Sequence, residues 1–480
     1  MKKIIILSLS MVMLFGSCED AIDLTPQQSL SDQVVFTDPL AAQGALIGIY
    51  NQMQDLHVFG SMPQIIADYA TDNVNFVGTF TGLQEIDTYT LTAGSGEVNE
   101  MWRDTYEGIL GANAIIANAS TVPTLTAEEA GRLEGEARFI RAALYFQLIN
   151  FFAQPFQVGN GSSPGVPLFL EPFTGEIVLL PRSTVGEVHQ QIIADLDFAA
   201  ANLPNYNEVT FGFASVQSAQ ALESRLRLYR GEFAEAAALA GSVIDAGFNT
   251  LAADYSFWDT ANPEIIFAVV NTAIDPQSNN DAELGSGSFD GYYEGSNQAG
   301  RGDCPPSADL LATFEAGDIR AEFFEEDATF SGLPDIFTLK YDNGATDESD
   351  YPMIRISEII LTRAEALVAE SGTVNTDAIA LMNQIRERAG LSALSAGDFA
   401  SGEELLAAIR NERRLELAFE GHRRMDLLRI GAPLRTAANV PDNAAGGGVG
   451  VVAGDDRAIY PLPQREIDLN EGVLVQNPGF

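Results

Sequence analysis

Apolar residues recurring every three to four positions dominate two long blocks of the chain, roughly 39–247 and 352–430. That period puts them on one side of an α-helix. The pattern is clearest over Trp102–Ala119, Glu128–Phe152, Thr184–Leu203 and Ala214–Gly247. Ahead of the third stretch stands Pro181-Arg182-Ser183-Thr184, with Glu187 beyond it. Ser183 or Thr184 can accept from the first free N–H groups while Glu187 reaches back, which predicts a helix start there. Arg138, Arg141 and Tyr145 repeat at helical spacing beside Phe139, Ala142 and Phe146.

Two segments read as helix–turn–helix pairs. In Leu228-Tyr229-Arg230-Gly231-Glu232-Phe233, Tyr229 ends one helix and Gly231 makes the turn. The small Ala236, Ala237 and Ala240 then allow close approach of the next helix, in the manner of a tetratricopeptide repeat. Arg363–Leu367, Gly372 and Ala378–Gly390 give a similar pair. Repetition of such pairs predicts a stacked helix-pair superhelix, with a less regular α bundle as the alternative.

Residues 250–350 change character. Ile265–Val270 is a short apolar run of strand type, and 275–307 is rich in Gly, Ser, Asn and Asp with Phe289, Tyr292 and Tyr293 interleaved. A long stretch without periodicity inside a compact fold is characteristic of functional or disordered segments. The predicted class is therefore mainly α: a tetratricopeptide-like helix-pair superhelix with a loop-rich, partly β insertion.

The chain has 480 residues, 46% of them hydrophobic, enough for a large core. Its charge is lopsided: 26 Lys+Arg against 67 Asp+Glu, a formal net charge of −41. Beyond Lys2 and Lys3 the one lysine is Lys340. Such a surface repels nucleic acid and anionic lipid, so neither is expected as a partner.

At the N-terminus, Met1-Lys2-Lys3 precedes the apolar run Ile4–Phe15 and then Gly16-Ser17-Cys18. The run is too short to span a bilayer and reads as a signal peptide over residues 1–17. Gly16-Ser17-Cys18 looks like a bacterial lipobox, which implies cleavage before Cys18 and acylation of that cysteine. Glu19, Asp20 and Asp23 look like a tag for the outer face of the outer membrane. Residues 18–37 are then an anchor and tether, and 38–480 the folded domain, ending in a tail over 431–480. With Cys18 acylated, Cys304 is left without an intramolecular disulfide partner.

Residues 410–431 concentrate arginine: Arg410, Arg413, Arg414, Arg423, Arg424 and Arg429. The stripe Ile409, Glu412, Glu416, Phe419 alternates apolar groups and carboxylates on one helical face, so Glu412 and Glu416 are expected to be buried against guanidinium partners. Gly421 is expected to break that helix, and Met425, Leu427, Leu428 and Ile430 to begin another apolar face. The motif resembles the SusD/RagB family of surface nutrient-binding lipoproteins through Phe419-Glu420-Gly421, Arg423-Arg424 and Asp426-Leu427-Leu428-Arg429. Tyr460-Pro461-Leu462-Pro463-Gln464, Glu466 and Gln476-Asn477-Pro478-Gly479-Phe480 extend the resemblance.

Candidate chemistry is sparse. His57, His189 and His422 show no metal-ligand spacing, and Asp342–Asp350 does not fit a calcium-loop template, so neither metal nor cofactor is expected. There is no Gly-x-Ser-x-Gly elbow, nor a Gly-Lys-Ser/Thr after Gly446-Gly447-Gly448. Catalysis is not expected. Binding remains. Sugars are held by aromatic faces together with amides, carboxylates and arginines. Two loop regions carry that mixture, and the resemblance implies that the ligand surface comes from the same two parts. The first supplies Asp72, Asn75 and Phe76, the second Phe289, Tyr292, Tyr293, Asn297 and Arg301, with ordinary packing as the equal alternative for the rings. Trp102 is expected in the core. The resemblance implies an outer-membrane lipoprotein that delivers oligosaccharide to a SusC-like TonB-dependent transporter, packing on the barrel through its repeat face. A peptide ligand, or a surface scaffold or adhesin for protein partners, are the alternatives.

Overall fold

The structure is a computed structural model that describes residues 35–255, 262–272, 288–295, 300–327, 335–341, 348–438 and 448–480. Cys18 and Asn297 lie outside the described residues.

The first block opens with α1 (Pro39–Met53), a π-helical turn at Leu56–Gly60, α2 (Met62–Tyr69) and α3 (Thr81–Asp87). It continues with α4 (Gly96–Asn118), α5 (Ala127–Phe152), α6 (Val185–Asn202), α7 (Val216–Arg230) and α8 (Phe233–Ala246). Thr184 is the cap that starts α6: its hydroxyl accepts from the Glu187 N–H while the Glu187 carboxylate accepts from the Thr184 N–H. Adjacent helices pack pairwise, α4 on α5, α5 on α6 and α7 on α8. Between α5 and α6 the pattern of arginines has a direct cause. Asp195 is fully buried and takes Arg141 through both oxygens at 2.7 and 2.8 Å, with Arg138 at 2.9 Å. A bidentate arginine is the geometry that makes a buried carboxylate tolerable.

The turn between α7 and α8 falls at Gly231, whose φ of 77° is the left-handed conformation that closes a helix C-terminus. The same device recurs at Gly372 between α11 (Ile356–Ser371) and α12 (Thr376–Arg388). α8 packs on α11, so the two helix pairs stack into one solenoid-like body. This is the tetratricopeptide-like architecture the periodicity predicts.

Among the described residues, the insertion and the strand that closes it form two small antiparallel ribbons. β1 (Ile265–Val269) pairs with β4 (Tyr351–Arg355), and β2 (Phe324–Asp327) with β3 (Asp335–Thr338). Both strands of the first ribbon are buried throughout. Short helices α9 (Phe289–Tyr293) and α10 (Ala308–Thr313) lie in the insertion, and α13 (Gly402–Glu416), α14 (Arg423–Arg429) and α15 (Gln464–Leu469) follow α12.

Candidate ligand-binding face

The arginine motif sets the frame on which the loops rest. Glu412, Arg413, Glu416 and Glu420 are each at most 2% exposed. Glu416 is held by Arg355 at 3.0 Å and also by Arg388. Glu420 accepts from Arg355 at 2.8 Å and from Lys340 at 2.7 Å. Burial alone would push the Glu416 carboxyl up, but Arg388, Arg355 and Arg320 hold it well below the usual range. This is an internal clamp that ties α12, α13, β4 and the insertion together.

One detail departs from the pattern. α13 ends at Glu416, so Phe419 is not its last turn; it sits beyond the helix with a φ of 66°. The cause is the set of cations at the helix end. Lys340 Nζ donates to the carbonyls of Glu416 and Ala418 at 3.0 and 2.8 Å, and Arg355 donates to that of Glu416 at 3.1 Å. Carbonyls without helical partners are satisfied by side chains, and a cation there also faces the negative end of the dipole. Gly421 follows with a φ of 77°. Its Cα faces Gln64 so closely that an added Cβ would stand 2.9 Å from the Gln64 Cα. No other residue fits there without displacement.

The two loop regions singled out in the sequence are neighbours in space. Asn75 N donates to Pro305 O at 2.9 Å, Val77 N to Asp303 O at 2.8 Å, and Ser307 N to Asn73 O at 2.8 Å. The clamp supports this seam. Asp72 accepts from Arg423 through both oxygens at 2.7 Å, and Arg414 donates to the Asp72 carbonyl at 2.9 Å. Burial raises the Asp72 carboxyl, but Arg423 and Arg414 carry it below its ordinary value. Arg301 donates to Asp303 at 2.8 Å, with its guanidinium 5.1 Å from the centre of the Tyr292 ring. Asn75 is half-buried on the seam.

The rings do not lie where stacking on a ligand requires. Phe76, Phe289, Tyr292 and Tyr293 are at most 1% exposed. Phe76 stacks on Tyr69 at 5.0 Å, and Phe289 on Tyr341 and Tyr351 at 4.9 and 5.0 Å. Tyr293 meets Phe419 edge-on at 5.0 Å. The expectation of exposed aromatic platforms is corrected by this packing. α9 is a single short turn seated on the clamp, and burying its rings is what fixes it there. The Cys304 thiol is also fully buried beside the Tyr69 hydroxyl, and burial pushes its pKa up, which suits a structural thiol.

Next to the seam, Phe76–Thr81 and one face of α3 enclose a groove of about 430 Å³. Thr79, Thr81, Gln84 and Thr90 are exposed along it, and Glu85 and Thr88 half-exposed. Gln84 donates to Gly78 O at 3.1 Å, which braces the loop across the groove. Hydroxyls, an amide and a carboxylate on a braced loop suit a hydroxyl-rich ligand. Of these residues, sequence reasoning named only Phe76. The threonines at 79, 81, 88 and 90 were the available signal.

A second groove, of about 700 Å³, is apolar. Its walls come from α4 (Trp102, Tyr106, Leu110), the segment 167–180 and the C-terminal tail near Glu466, Asn470 and Leu474. Trp102 itself is 5% exposed, packed edge-on against Phe152 at 5.0 Å. On the rim, Phe173, Ile177 and Val178 are 60%, 87% and 56% exposed. An apolar rim of this kind is characteristic of a partner surface.

A superhelix of helix pairs bearing a loop-built face defines the class. Two family models match the chain: one described as "SusD family" over residues 337–480 and one as "Starch-binding associating with outer membrane" over residues 22–228. The chain belongs to the SusD/RagB family. It is 25% identical over 526 residues to SusD-like protein P2 of Formosa agariphila, covering all of both chains. It is 31% identical over 133 residues to the starch-binding protein SusD of Bacteroides thetaiotaomicron, which covers 28% of this chain and 22% of that one. Among solved structures, a putative sugar binding protein from Bacteroides vulgatus superposes with a TM-score of 0.78 at 26% identity, covering 92% of this chain and 99% of that one. A SusD superfamily protein from the same organism superposes with a TM-score of 0.80 at 21% identity and the same coverage.

Proposed function

We propose that this protein is a cell-surface lipoprotein that captures oligosaccharide and passes it to a TonB-dependent outer-membrane transporter. It is anchored through lipid on Cys18 and acts by binding, without catalysing a reaction. The observation that carries the reading is the polar groove of Phe76–Thr90, braced by the seam between residues 73–77 and 303–307. A threonine- and amide-lined groove offers donors and acceptors in several directions, as a sugar's hydroxyls need. Asp72, Asn75 and Arg301 hold the seam from behind, and the buried rings Phe76, Phe289, Tyr292 and Tyr293 act through the rigidity they give it. Membership of a family described as starch-binding and outer-membrane-associated supports the ligand class and the location. The apolar groove rimmed by Phe173, Ile177 and Val178 is the surface offered to the barrel, since a net charge of −41 makes apolar contact the less salt-sensitive way to hold it.

Calorimetry against a broad glycan panel tests the binding. At least one oligosaccharide binds, and the double variant T79A/Q84A weakens it about tenfold, the loss of one or two hydrogen bonds at about 1 kcal/mol each. Absence of binding across the panel, or unchanged affinity in the variant, overturns the site. The anchor has its own test: C18A moves the protein out of the membrane fraction, and retention there overturns lipidation at Cys18.

A further inference from the structure

The π-helical turn at Leu56–Gly60 and the first turns of α4 bring one imidazole among three carboxylates. The ligating atoms of Asp55, His57 and Asp104 all lie within 4.8 Å of one another. His57 Nε2 is 3.2 Å from the Glu97 carboxylate. With its proton on Nε2 beside that carboxylate, Nδ1 would be the coordinating nitrogen, the arrangement that surrounds most metal-bound histidines. That Nδ1 faces Asp104 Oδ2 at 3.7 Å, beyond hydrogen-bonding reach. A ring nitrogen and a carboxylate oxygen thus stand on two sides of one space. An ion at about 2.1 Å from each of two atoms so placed would see them about 120° apart, which suits a zinc-like ion.

The remaining oxygens are already disposed for this. Asp55 Oδ1 accepts the His57 backbone N–H at 2.9 Å, which fixes its carboxylate at the head of the turn. Asp104 Oδ1 accepts from Arg103 Nε at 2.7 Å, which leaves Oδ2 toward His57. The charge is unbalanced. Three carboxylates, Asp55, Glu97 and Asp104, meet the guanidinium of Arg103, whose side chain is 61% exposed and also serves Glu100. Glu97 and Asp104 are themselves buried.

We propose that Asp55, His57 and Asp104 form a divalent-metal site of the zinc class, with Glu97 orienting His57 and a water or ligand oxygen completing the shell. One imidazole nitrogen with carboxylate oxygens is a donor set that zinc accepts, whereas calcium takes oxygens alone. The site would pin the π-helical turn to α4. Glu97 also lies under α3, where a Cβ on Gly82 would stand 3.1 Å from the Glu97 Cγ, so the ion would stiffen the wall behind the polar groove.

The test uses the full-length lipoprotein, purified in detergent, stripped with EDTA and titrated with Zn²⁺ by calorimetry and elemental analysis. One equivalent binds. H57Q and D104N each weaken it at least tenfold, and E97Q, which keeps all three ligands, weakens it by about ten- to a hundredfold. Co²⁺ in place of Zn²⁺ shows a visible spectrum that disappears in H57Q. Failure to bind a stoichiometric equivalent overturns the proposal, as does zinc binding unchanged in H57Q, or displacement of Zn²⁺ by Ca²⁺ at equal concentration. Glycan affinity is read in parallel and does not decide the outcome.

Discussion

Lys340 Nζ lies 2.8 Å from the carbonyl oxygen of Ala418 and donates to it. The same ammonium also caps Glu416 and pairs with Glu420. It is buried, and burial lowers its pKa against the opposing pull of Glu420. The one lysine beyond Lys2 and Lys3 thus ends the arginine-bearing helix. K340M keeps the length of the stem and removes the charge. Buried acceptors left unpaired cost about 1–3 kcal/mol each, and a buried carboxylate losing a partner about 3–5 kcal/mol. Glu420 keeps Arg355, so a destabilisation of about 3–4 kcal/mol is expected. The midpoint of urea unfolding measures it, and an unchanged midpoint would remove Lys340 from the clamp.

The clamp also sets the acid limit of the fold. Burial pushes the Glu358 carboxyl up, but Arg225, His422 and Arg413 pull it down to about 2, from an ordinary value of 4.5. A folded value below the unfolded one means that the unfolded chain takes up protons first as pH falls. The stability this pairing contributes is therefore complete above about pH 4.5 and lost progressively toward about pH 2. Asp426 and Glu416 are shifted in the same direction. E358Q is expected to be less stable at neutral pH yet to show a shallower fall between pH 4.5 and 2. Thermal melts across that range give the two slopes, and parallel slopes would assign the acid limb to other groups.

Asp68 acts in the opposite sense. It is fully buried, and burial raises it to about 7 although the Gly421 N–H and Asn73 stabilise its charged form. Its folded value exceeds the ordinary 3.8, so the folded state binds the proton more tightly. The contribution is complete below about pH 4 and disappears as pH rises through about 7. D68N should flatten the decline in melting temperature between pH 5 and 8. A slope identical to that of the unsubstituted protein would rule out Asp68 as its source.

Phe289 lies between Tyr341 and Tyr351 with no exposed surface, so its contribution is to packing. F289A is expected to cost about 3–5 kcal/mol, the range for truncating a buried phenylalanine. T79A should leave stability within about 0.5 kcal/mol, as exposed substitutions do. Measuring glycan affinity and the melting curve for both separates a structural ring from a contact residue. A Phe289 variant that melts normally but loses ligand would restore the ring to the binding surface.

The helical blocks were legible because period and capping agree: Thr184 with Glu187, Gly231 and Gly372 all stand where the pattern places them. The burial of Glu412 and Glu416 was legible for the same reason, since carboxylates on an apolar stripe need internal partners. The end of α13 was not. It depends on Lys340 and Arg355, distant in sequence, reaching its last carbonyls. The aromatic loops misled because Phe289, Tyr292 and Tyr293 look the same in sequence whether they face solvent or Phe419. The cluster at His57 carries no motif, because Asp104 meets Asp55 and His57 only through the contact of the π-helical turn with α4.

The apolar rim gives the most direct handle on the partner. Phe173 and Ile177 are exposed side chains on the segment that walls the 700 Å³ groove. Exposed apolar groups contribute little to the fold of the free chain, so F173D and I177D together should leave its melting temperature nearly unchanged. On a barrel surface they would each replace buried apolar area with a charge, and an unpaired charge is strongly unfavourable there. The double variant is therefore expected to lose co-purification with the transporter proposed as its partner while keeping its glycan affinity in the purified state. Affinity pull-down from detergent-solubilised membranes measures the first and calorimetry the second. A variant that still brings down the barrel in full yield would move the docking surface elsewhere on the superhelix.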